Sequence, residues 1–362
     1  MSSTWGKIIK LSLFGESHGT AIGMTLDGLP PGQHIDLDNI RSFLQRRAPG
    51  RAEWMSERKE NDEFQILSGL NDGFTTGAPL AALLENNNKK CDDYQNIRHI
   101  PRPGHADFTA RIRYGQYTDP NGGGHLSGRL TAPFCLAGAI ALQILAEHNI
   151  FIGAHISSIA KINDIQYDPV NLTQAQLLLA GEKDFPVNDN TSAAQMKNAI
   201  MAARAEKDSL GGIIECAALG IPPGLGSPLF EGIENRLAQI LFAIPALTGL
   251  EFGAGFAGTG LRASQINDPF MAQQGQIRTK SNNHGGILGG ISSGMPLIFK
   301  VAIKPTPSIA LTQCSVDLTN MEETTIAITG RHDPCIAPRA VPCIEAATAL
   351  CILDLMLEQG KI

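Results

Sequence analysis

The pattern of hydrophobic and polar positions singles out two long apolar segments. Residues 133–148 and 341–357 are apolar on every side of a helix, so the pattern predicts two helices that are buried all round. Shorter runs elsewhere follow strand or amphipathic-helix periods. Strands are predicted at 7–14, 21–26, 80–85, 212–219, 250–256, 297–303 and 325–329, further helices at 36–47, 173–179, 191–207 and 229–242, and loops at 48–63 and 258–278.

One turn pattern occurs twice along the chain. A predicted strand, Gly-Leu-Pro-Pro-Gly at 28–32 and a helix are echoed by a strand, Gly-Ile-Pro-Pro-Gly at 220–224 and a helix. The echo indicates either two related halves or merely a strand-to-helix turn that is used twice. We therefore expect one domain spanning 1–362, with two related halves as the alternative within it.

Composition and charge exclude several classes of protein. The formal net charge is −6, which argues against a nucleic-acid binder. The seven cysteines include no Cys-x-x-Cys pair, and the histidines lack metal-ligand spacing, so we expect a reducing compartment and no metal site. No signal-peptide pattern opens the chain, and the longest apolar run, 132–146, is short for a bilayer. We expect a soluble, cytoplasmic protein without a membrane or nucleic-acid partner.

The candidate chemistry lies on segments shaped by glycine and proline. Arginine, histidine and serine recur there, a composition typical of sites for phosphorylated substrates with proton transfer by histidine. The clusters lie at 15–19, 46–51, 102–107, 122–131 and 330–339. Two alternatives remain open. The arginines of 46–51 could simply complement a helix dipole, and Asp333 could pair with arginines of its own segment. We interpret 48–63 as a mobile surface loop and a candidate lid.

Four of these stretches carry a family resemblance. Gly-Glu-Ser-His-Gly at 15–19, Arg-Pro-Gly-His-Ala-Asp at 102–107, the glycine-rich run 285–294 and Gly-Arg-His-Asp-Pro-Cys at 330–335 closely resemble motifs of the chorismate synthase family. The match continues in order from about residue 7 to residue 357. The resemblance implies a lyase that removes phosphate from 5-enolpyruvylshikimate 3-phosphate by anti 1,4-elimination, giving chorismate. It also implies a requirement for reduced FMN, a homotetramer, and an α+β fold: a β-α-β sandwich with long buried helices between antiparallel sheets.

The resemblance also implies roles for individual residues. His18 and His105 correspond to the two proton-transfer histidines, accompanied by Ser17, Ser127 and Asp333. Substrate-binding arginines correspond to Arg46, Arg47, Arg51, Arg102, Arg129 and Arg339. Flavin contacts correspond to His125, Leu126, Ser127, Pro245, Ala246, Gly289, Lys304, Pro305, Thr306, Pro307, Ser308 and Arg331.

This chain departs from the family pattern at the flavin contacts. His125 stands where many relatives have arginine, Leu126 also differs, and Pro245 stands where many have asparagine. These changes affect expected flavin affinity rather than the reaction. Alternatives are another flavin-dependent enzyme acting on a phosphorylated, carboxylated molecule, and a non-catalytic binding module. No long insertion indicates intrinsic flavin reduction, so NADPH is expected only as an indirect reductant, through an external flavin reductase.

Overall fold

The computed structural model describes residues 3–56, 60, 62–87, 99–119, 122–328, 330 and 332–362. Its helices are α1 (Leu37–Arg47), α2 (Asp107–Tyr114), α3 (Thr131–Glu147), α4 (Gln174–Leu179), α5 (Asn190–Ala205), α6 (Ile233–Leu241), α7 (Ala263–Ile266) and α8 (Ala337–Glu358). Its first strands are β1 (Thr4–Trp5), β2 (Lys10–Gly15), β3 (Ala21–Asp27), β4 (Phe64–Ser68), β5 (Leu70–Asn71), β6 (Phe74–Thr75), β7 (Leu80–Glu85), β8 (Phe151–Ile159) and β9 (Ile162–Asn163). The later strands are β10 (Gly212–Leu219), β11 (Leu247–Phe252), β12 (Phe270–Gln273), β13 (Gln276–Thr279), β14 (Ile287–Leu288), β15 (Ile291–Ser292), β16 (Leu297–Ile303), β17 (Gln313–Asp317) and β18 (Glu322–Ile326).

Two five-stranded antiparallel sheets form the outer layers. Their strand orders are β1-β2-β3-β7-β4 and β11-β16-β10-β8-β9. Helix α3 packs against β3 and β7, α8 packs against β8 and β10, and the two helices pack on each other. A Cβ atom on Gly138 would lie 2.2 Å from the Cβ of Ala346, so only glycine permits this close approach of α3 and α8. The predicted sandwich of antiparallel sheets around buried helices is confirmed.

The same two helices carry the membrane-like features of the sequence. Among the described residues, Gly128–Glu147 and Ala337–Glu358 have the length and hydropathy that a membrane span requires. Most of each segment is buried inside the fold, as in the core helices of soluble proteins. Their apolar composition is therefore explained by packing between the sheets.

Helix α8 begins earlier than the apolar pattern predicts. The apolar pattern predicts a helix from residue 341, but α8 starts at Ala337. Pro338 occupies the first turn, where a missing N–H leaves no helical bond unmade, and Pro342 lies farther inside the helix. Arg339 consequently lies on the first turn of α8, on a rigid element.

Other differences concern short or exposed elements. The predicted loop 258–278 contains α7 and the β12–β13 hairpin, whose Phe270 and Ile277 are largely exposed. Sequence reasoning also missed α2 and β4. The segment 48–63, predicted to be a surface loop, is partly buried, because Trp54, Met55 and Asp62 are inside the fold. Residues 57–59 and 61 of that loop lie outside the described part of the chain.

The two sheets resemble each other in detail. The order β2-β3-β7-β4 matches β8-β10-β16-β11, and the Gly28 and Gly220 turns have φ values of 84° and 83°. The Thr75 hydroxyl accepts a hydrogen bond from the Gln33 N–H and donates to the Pro30 carbonyl, as Ser292 does with Leu225 and Pro222. The interpretation as two related halves stays a prediction, and this correspondence supports it.

Candidate active site

A cavity of about 1190 Å³ brings the predicted polar clusters together. Its walls come from the N-terminal strands, the 122–131 turns, the ends of α6, the 304–308 segment and the start of α8. Most of the predicted site residues line it, namely His18, Arg47, Arg102, His105, His125, Leu126, Ser127, Arg129, Pro245, Ala246, Lys304, Thr306, Pro307, Ser308, Asp333 and Arg339.

One buried carboxylate joins two of the cavity arginines. Arg47 Nη1 donates to one Asp62 oxygen at 2.5 Å, and Arg129 Nη1 donates to the other. Arg129 also pairs with Glu60 at 3.1 Å. Burial alone would raise the pKa of Asp62, but the Arg47 and Arg129 guanidiniums outweigh it and hold that pKa below its usual range. Asp62 is therefore ionised and orients both arginines.

Two further cavity arginines, Arg102 and Arg339, are also oriented by carboxylates. Arg102 is bidentate to Asp107, with both N–O distances 2.7 Å. Arg339 binds Asp333, whose other oxygen accepts the Ser56 N–H at 2.8 Å. The alternative in which Asp333 pairs within its own segment is thus realised, and the pair still lines the cavity.

His105 lies in a site that disfavours its charged form. Its Nε2 is 2.7 Å from the Ser308 Oγ. Burial first, and then the positive charge of Arg102, lower the pKa of His105 to about 4. In the protein alone, the pKa of His105 therefore lies well below the ordinary histidine value of about 6.5. An anion beside Arg102 would offset that positive charge and raise the pKa again.

His18 is held between a serine and a glycine. Its Nδ1 lies 3.0 Å from the Ser17 Oγ, and Ser17 itself is buried and does not line the cavity. A Cβ on Gly122 would lie 2.2 Å from His18 Cε1, so Gly122 leaves room for the ring. Gly122 also has a φ of 64°, a conformation that glycine adopts readily.

The ring of His125 is held by hydrogen bonds at both nitrogens. Its Nδ1 donates to the Gly15 carbonyl at 2.8 Å, because a carbonyl can only accept. Its Nε2 lies 2.8 Å from the Ser3 Oγ, so both ring nitrogens have partners. Ser127 acts locally, since its Oγ accepts the Arg129 N–H and caps a short 3-10 turn.

One side of the cavity suits a flat apolar ring that carries a phosphate. Leu126 and Ala246 supply apolar surface, and Leu126 is 47% exposed although it lines a cavity. The Thr306 hydroxyl is buried and finds no hydrogen-bond partner within the described residues. Lys304 Nζ donates to the Gly104 carbonyl at 2.7 Å. A buried hydroxyl that has no partner in the described part of the chain and lies two residues from Lys304 along the cavity wall fits the phosphate end of a bound flavin mononucleotide.

Several residues assigned by resemblance lie elsewhere. Arg46 forms two bonds with Glu345, at 2.7 and 2.8 Å, and Arg51 donates to the Arg46 carbonyl. Neither lines the cavity, and neither do Gly289 and Pro305. Their functional assignments stay predictions.

Arg331, assigned to the flavin, lies outside the described residues. In the parts of the chain that the structure describes, no cluster of three potential metal ligands occurs.

Sequence reasoning missed the acidic partners of the arginines. Asp62 and Glu60 fall in the segment interpreted as a mobile surface loop, although both approach Arg129. The available signal was their position shortly after the arginine cluster at 46–51. Cys343 was also missed as a cavity residue, because it lies in a run that otherwise indicates only a buried helix.

Comparisons with known proteins agree along the whole chain. A family model for chorismate synthase matches residues 9–357. The chorismate synthase of Dehalococcoides mccartyi is 44% identical over 369 residues, covering 100% of this chain and 98% of the relative. That of Thermococcus kodakarensis is 44% identical over 354 residues, covering 98% and 97%. A chorismate synthase crystal structure is similar with a TM-score of 0.77 at 27% identity, covering 98% and 93% of the two chains. The chain belongs to the chorismate synthase family.

Proposed function

We propose that the cavity is the active site for the reaction of this family, the anti 1,4-elimination of phosphate from 5-enolpyruvylshikimate 3-phosphate to give chorismate. The protein is accordingly a carbon–oxygen lyase of aromatic amino acid biosynthesis. The observation that carries the site proposal is the convergence of four oriented arginines and two histidines on one cavity. A substrate with a phosphate and two carboxylates requires such a set of charged donors.

The arginines can bind this substrate while keeping their protein partners. Arg47, Arg129 and Arg339 each use Nε and Nη1 for bonds within the chain. Their Nη2 atoms make no hydrogen bond to the residues that the structure describes. Each guanidinium has five N–H donors in a rigid fork, so a carboxylate on one side orients the other side. We assign these outward donors to the phosphate and carboxylates of the substrate.

The histidines supply the proton-transfer groups. We assign His18 and His105 to protonation of the departing phosphate and to the proton balance at the cofactor. A phosphate dianion bound beside Arg102 raises the pKa of His105 from about 4 toward neutral pH, so substrate binding itself charges the acid. Ser17 positions His18, Ser308 positions His105, and Asp333 remains at the cavity wall with Arg339.

We propose that the cofactor is reduced FMN, which supplies the transient electron that this elimination requires. Leu126, Pro245 and Ala246 would contact its ring system, and Lys304 with Thr306 and Ser308 would hold its phosphate. His125 lacks the planar five-donor fork of an arginine, and its Nδ1 already donates to the Gly15 carbonyl. We therefore expect weaker FMN binding than in relatives with arginine there.

We further propose a cytoplasmic homotetramer. Large apolar side chains at 229–288 remain exposed on the single chain, including Leu229 at 79%, Phe230 at 85% and Phe256 at 80%. Such surfaces are typical of protein–protein contacts. Light scattering on purified protein should give four times the chain mass of 38.6 kDa.

NADPH is expected to support turnover only with an added flavin reductase, and NADPH oxidation by protein plus FMN alone would contradict that.

A binding experiment tests the substrate proposal directly. Titration calorimetry with 5-enolpyruvylshikimate 3-phosphate should give at least a tenfold weaker Kd for Arg339→Gln, because each bond to a charged group contributes about 1.5–3 kcal/mol. Arg41→Gln is the matched control, since Arg41 is exposed, pairs with Asp38 and lies outside the cavity lining. An unchanged Kd for folded Arg339→Gln would remove Arg339 from the substrate site.

A further inference from the structure

Two cysteines meet where the central helices face the cavity. The Sγ atoms of Cys135 on α3 and Cys343 on α8 are 3.6 Å apart, and both residues are buried. Cys343 also lines the cavity. A small oxidant that enters the cavity can therefore reach one thiol, and the second thiol lies within contact of the first.

The surroundings of the pair make the two thiols unequal. The Cys135 thiol donates to Cys343, and the charge of Arg47 lies nearby, which together lower the pKa of Cys343 despite its burial. Burial raises the pKa of Cys135. Cys343 is thus the thiol that ionises first, and thiolates at positively charged sites are the reactive cysteines of proteins.

We propose that Cys343 and Cys135 form an oxidisable dithiol, which a hydroperoxide converts to a disulfide that disables the anion-binding cavity. The Cys343 thiolate attacks the peroxide O–O bond, giving a sulfenic acid and releasing water after protonation. The Cys135 sulfur then displaces the sulfenic oxygen as a second water and closes the S–S bond. For hydrogen peroxide, two thiols lose two protons and two electrons, and one peroxide becomes two waters.

The disulfide would disturb the cavity arginines, because residues one helical turn before each cysteine bond to Arg47. Bond formation brings the sulfurs from 3.6 Å to about 2.05 Å, which would change the packing of α3 and α8 around the two cysteines. One turn before each cysteine lie Thr131 and Arg339, and both bond to Arg47, at 3.0 and 2.8 Å. This consequence rests on the proposed function. A reduced flavin in air yields hydrogen peroxide, so the proposed cofactor would generate the required oxidant inside the cavity.

Peptide mapping under non-reducing conditions tests the dithiol without relying on activity. Full-length protein is treated with hydrogen peroxide, alkylated and digested. We expect a linked peptide pair containing Cys135 and Cys343, two hydrogens lighter than the separate peptides and released by dithiothreitol. In Cys135→Ala protein, Cys343 should instead be trapped as sulfenic acid. Absence of the linked pair while exposed Cys314 is oxidised would overturn the proposal.

A binding measurement separates this inference from the proposed function. Calorimetry with 5-enolpyruvylshikimate 3-phosphate should show at least a tenfold affinity loss on oxidation, reversed by dithiothreitol. Cys314→Ser is the matched control and should behave as wild type, because Cys314 lies outside the cavity lining. Equal affinity before and after disulfide formation would overturn the regulatory consequence. If the reduced protein binds no substrate while the disulfide forms, the proposed function fails and the dithiol stands.

Discussion

Asp62 gives the sharpest test of how the cavity is held together. Its carboxylate lies between the guanidiniums of Arg47 and Arg129, and all three residues are at most 6% exposed. Asp62→Asn keeps the shape of the side chain and removes its charge. Two buried cations are then left facing each other, with Glu60 still beside Arg129. Breaking a buried pair in this way costs about 3–5 kcal/mol of unfolding free energy.

Urea unfolding at pH 7 measures this loss. The matched control is Asp38→Asn, whose partner Arg41 is on the surface and whose own side chain is 88% exposed. That pair is screened by solvent, so we expect a change below about 1 kcal/mol. A loss for Asp62→Asn no larger than that of the control, at unchanged m, would refute the electrostatic role assigned to Asp62.

Substrate binding should restore part of the stability that Asp62→Asn loses. A bound phosphate supplies negative charge to the same two arginines, so 5-enolpyruvylshikimate 3-phosphate should stabilise Asp62→Asn more than wild type. Saturation at 100-fold above Kd adds about 2.7 kcal/mol for an unaltered affinity, and a larger increment indicates tighter binding. Equal or smaller stabilisation of the variant would show that the substrate does not approach Arg47 and Arg129.

Three further predictions follow from single sites. The pKa of His105 is about 4 in the folded protein and about 6.5 in the unfolded chain, so the unfolded chain binds this proton at a higher pH. The free energy of unfolding should therefore decrease by up to about 3 kcal/mol as the pH falls from 6.5 toward 4. His105→Gln should flatten that part of the pH–stability curve in urea unfolding, and an unchanged slope would contradict the shift. Gly122→Ala should lower kcat by displacing His18, and it should also lower the free energy of unfolding by about 1 kcal/mol because φ is 64° there. Full activity would argue against the close contact. Gly138→Ala should lower the free energy of unfolding in urea by about 1–3 kcal/mol, because the added Cβ separates α3 from α8. Gly260→Ala is the control and should not lower it, because a Cβ there has no heavy atom within 4 Å.

The sequence predicts most of the fold for an identifiable reason. Helices α3 and α8 are apolar on every side, and few environments other than a core accommodate that composition. Strands such as β7 and β10 have clear apolar runs bounded by glycine or polar residues, and both were predicted with the bounds observed. The β12–β13 hairpin was missed because its exposed strands carry no buried face that a period-two pattern would mark.

The pairing of charges could not be predicted in the same way. The resemblance assigns Arg46 to the substrate, and nothing in its local pattern indicates its pairing with Glu345, 299 residues away. Asp62 reaches Arg129 across 67 residues, and a local pattern contains no information on such a contact. The lowered pKa of His105 likewise depends on burial by distant segments. Motif resemblance identified the residue types of the site, and only the three-dimensional arrangement showed which cations already have carboxylate partners.

Anaerobic turnover is the most direct measurement of the proposed active site. Protein, reduced FMN and 5-enolpyruvylshikimate 3-phosphate are combined, and released phosphate and chorismate absorbance are followed in the same sample. We predict one phosphate per chorismate, no product without reduced FMN, and a much lower kcat with nearly unchanged substrate Kd for His105→Gln. Folded wild-type protein that binds both ligands and forms no chorismate would contradict the assignment of this cavity.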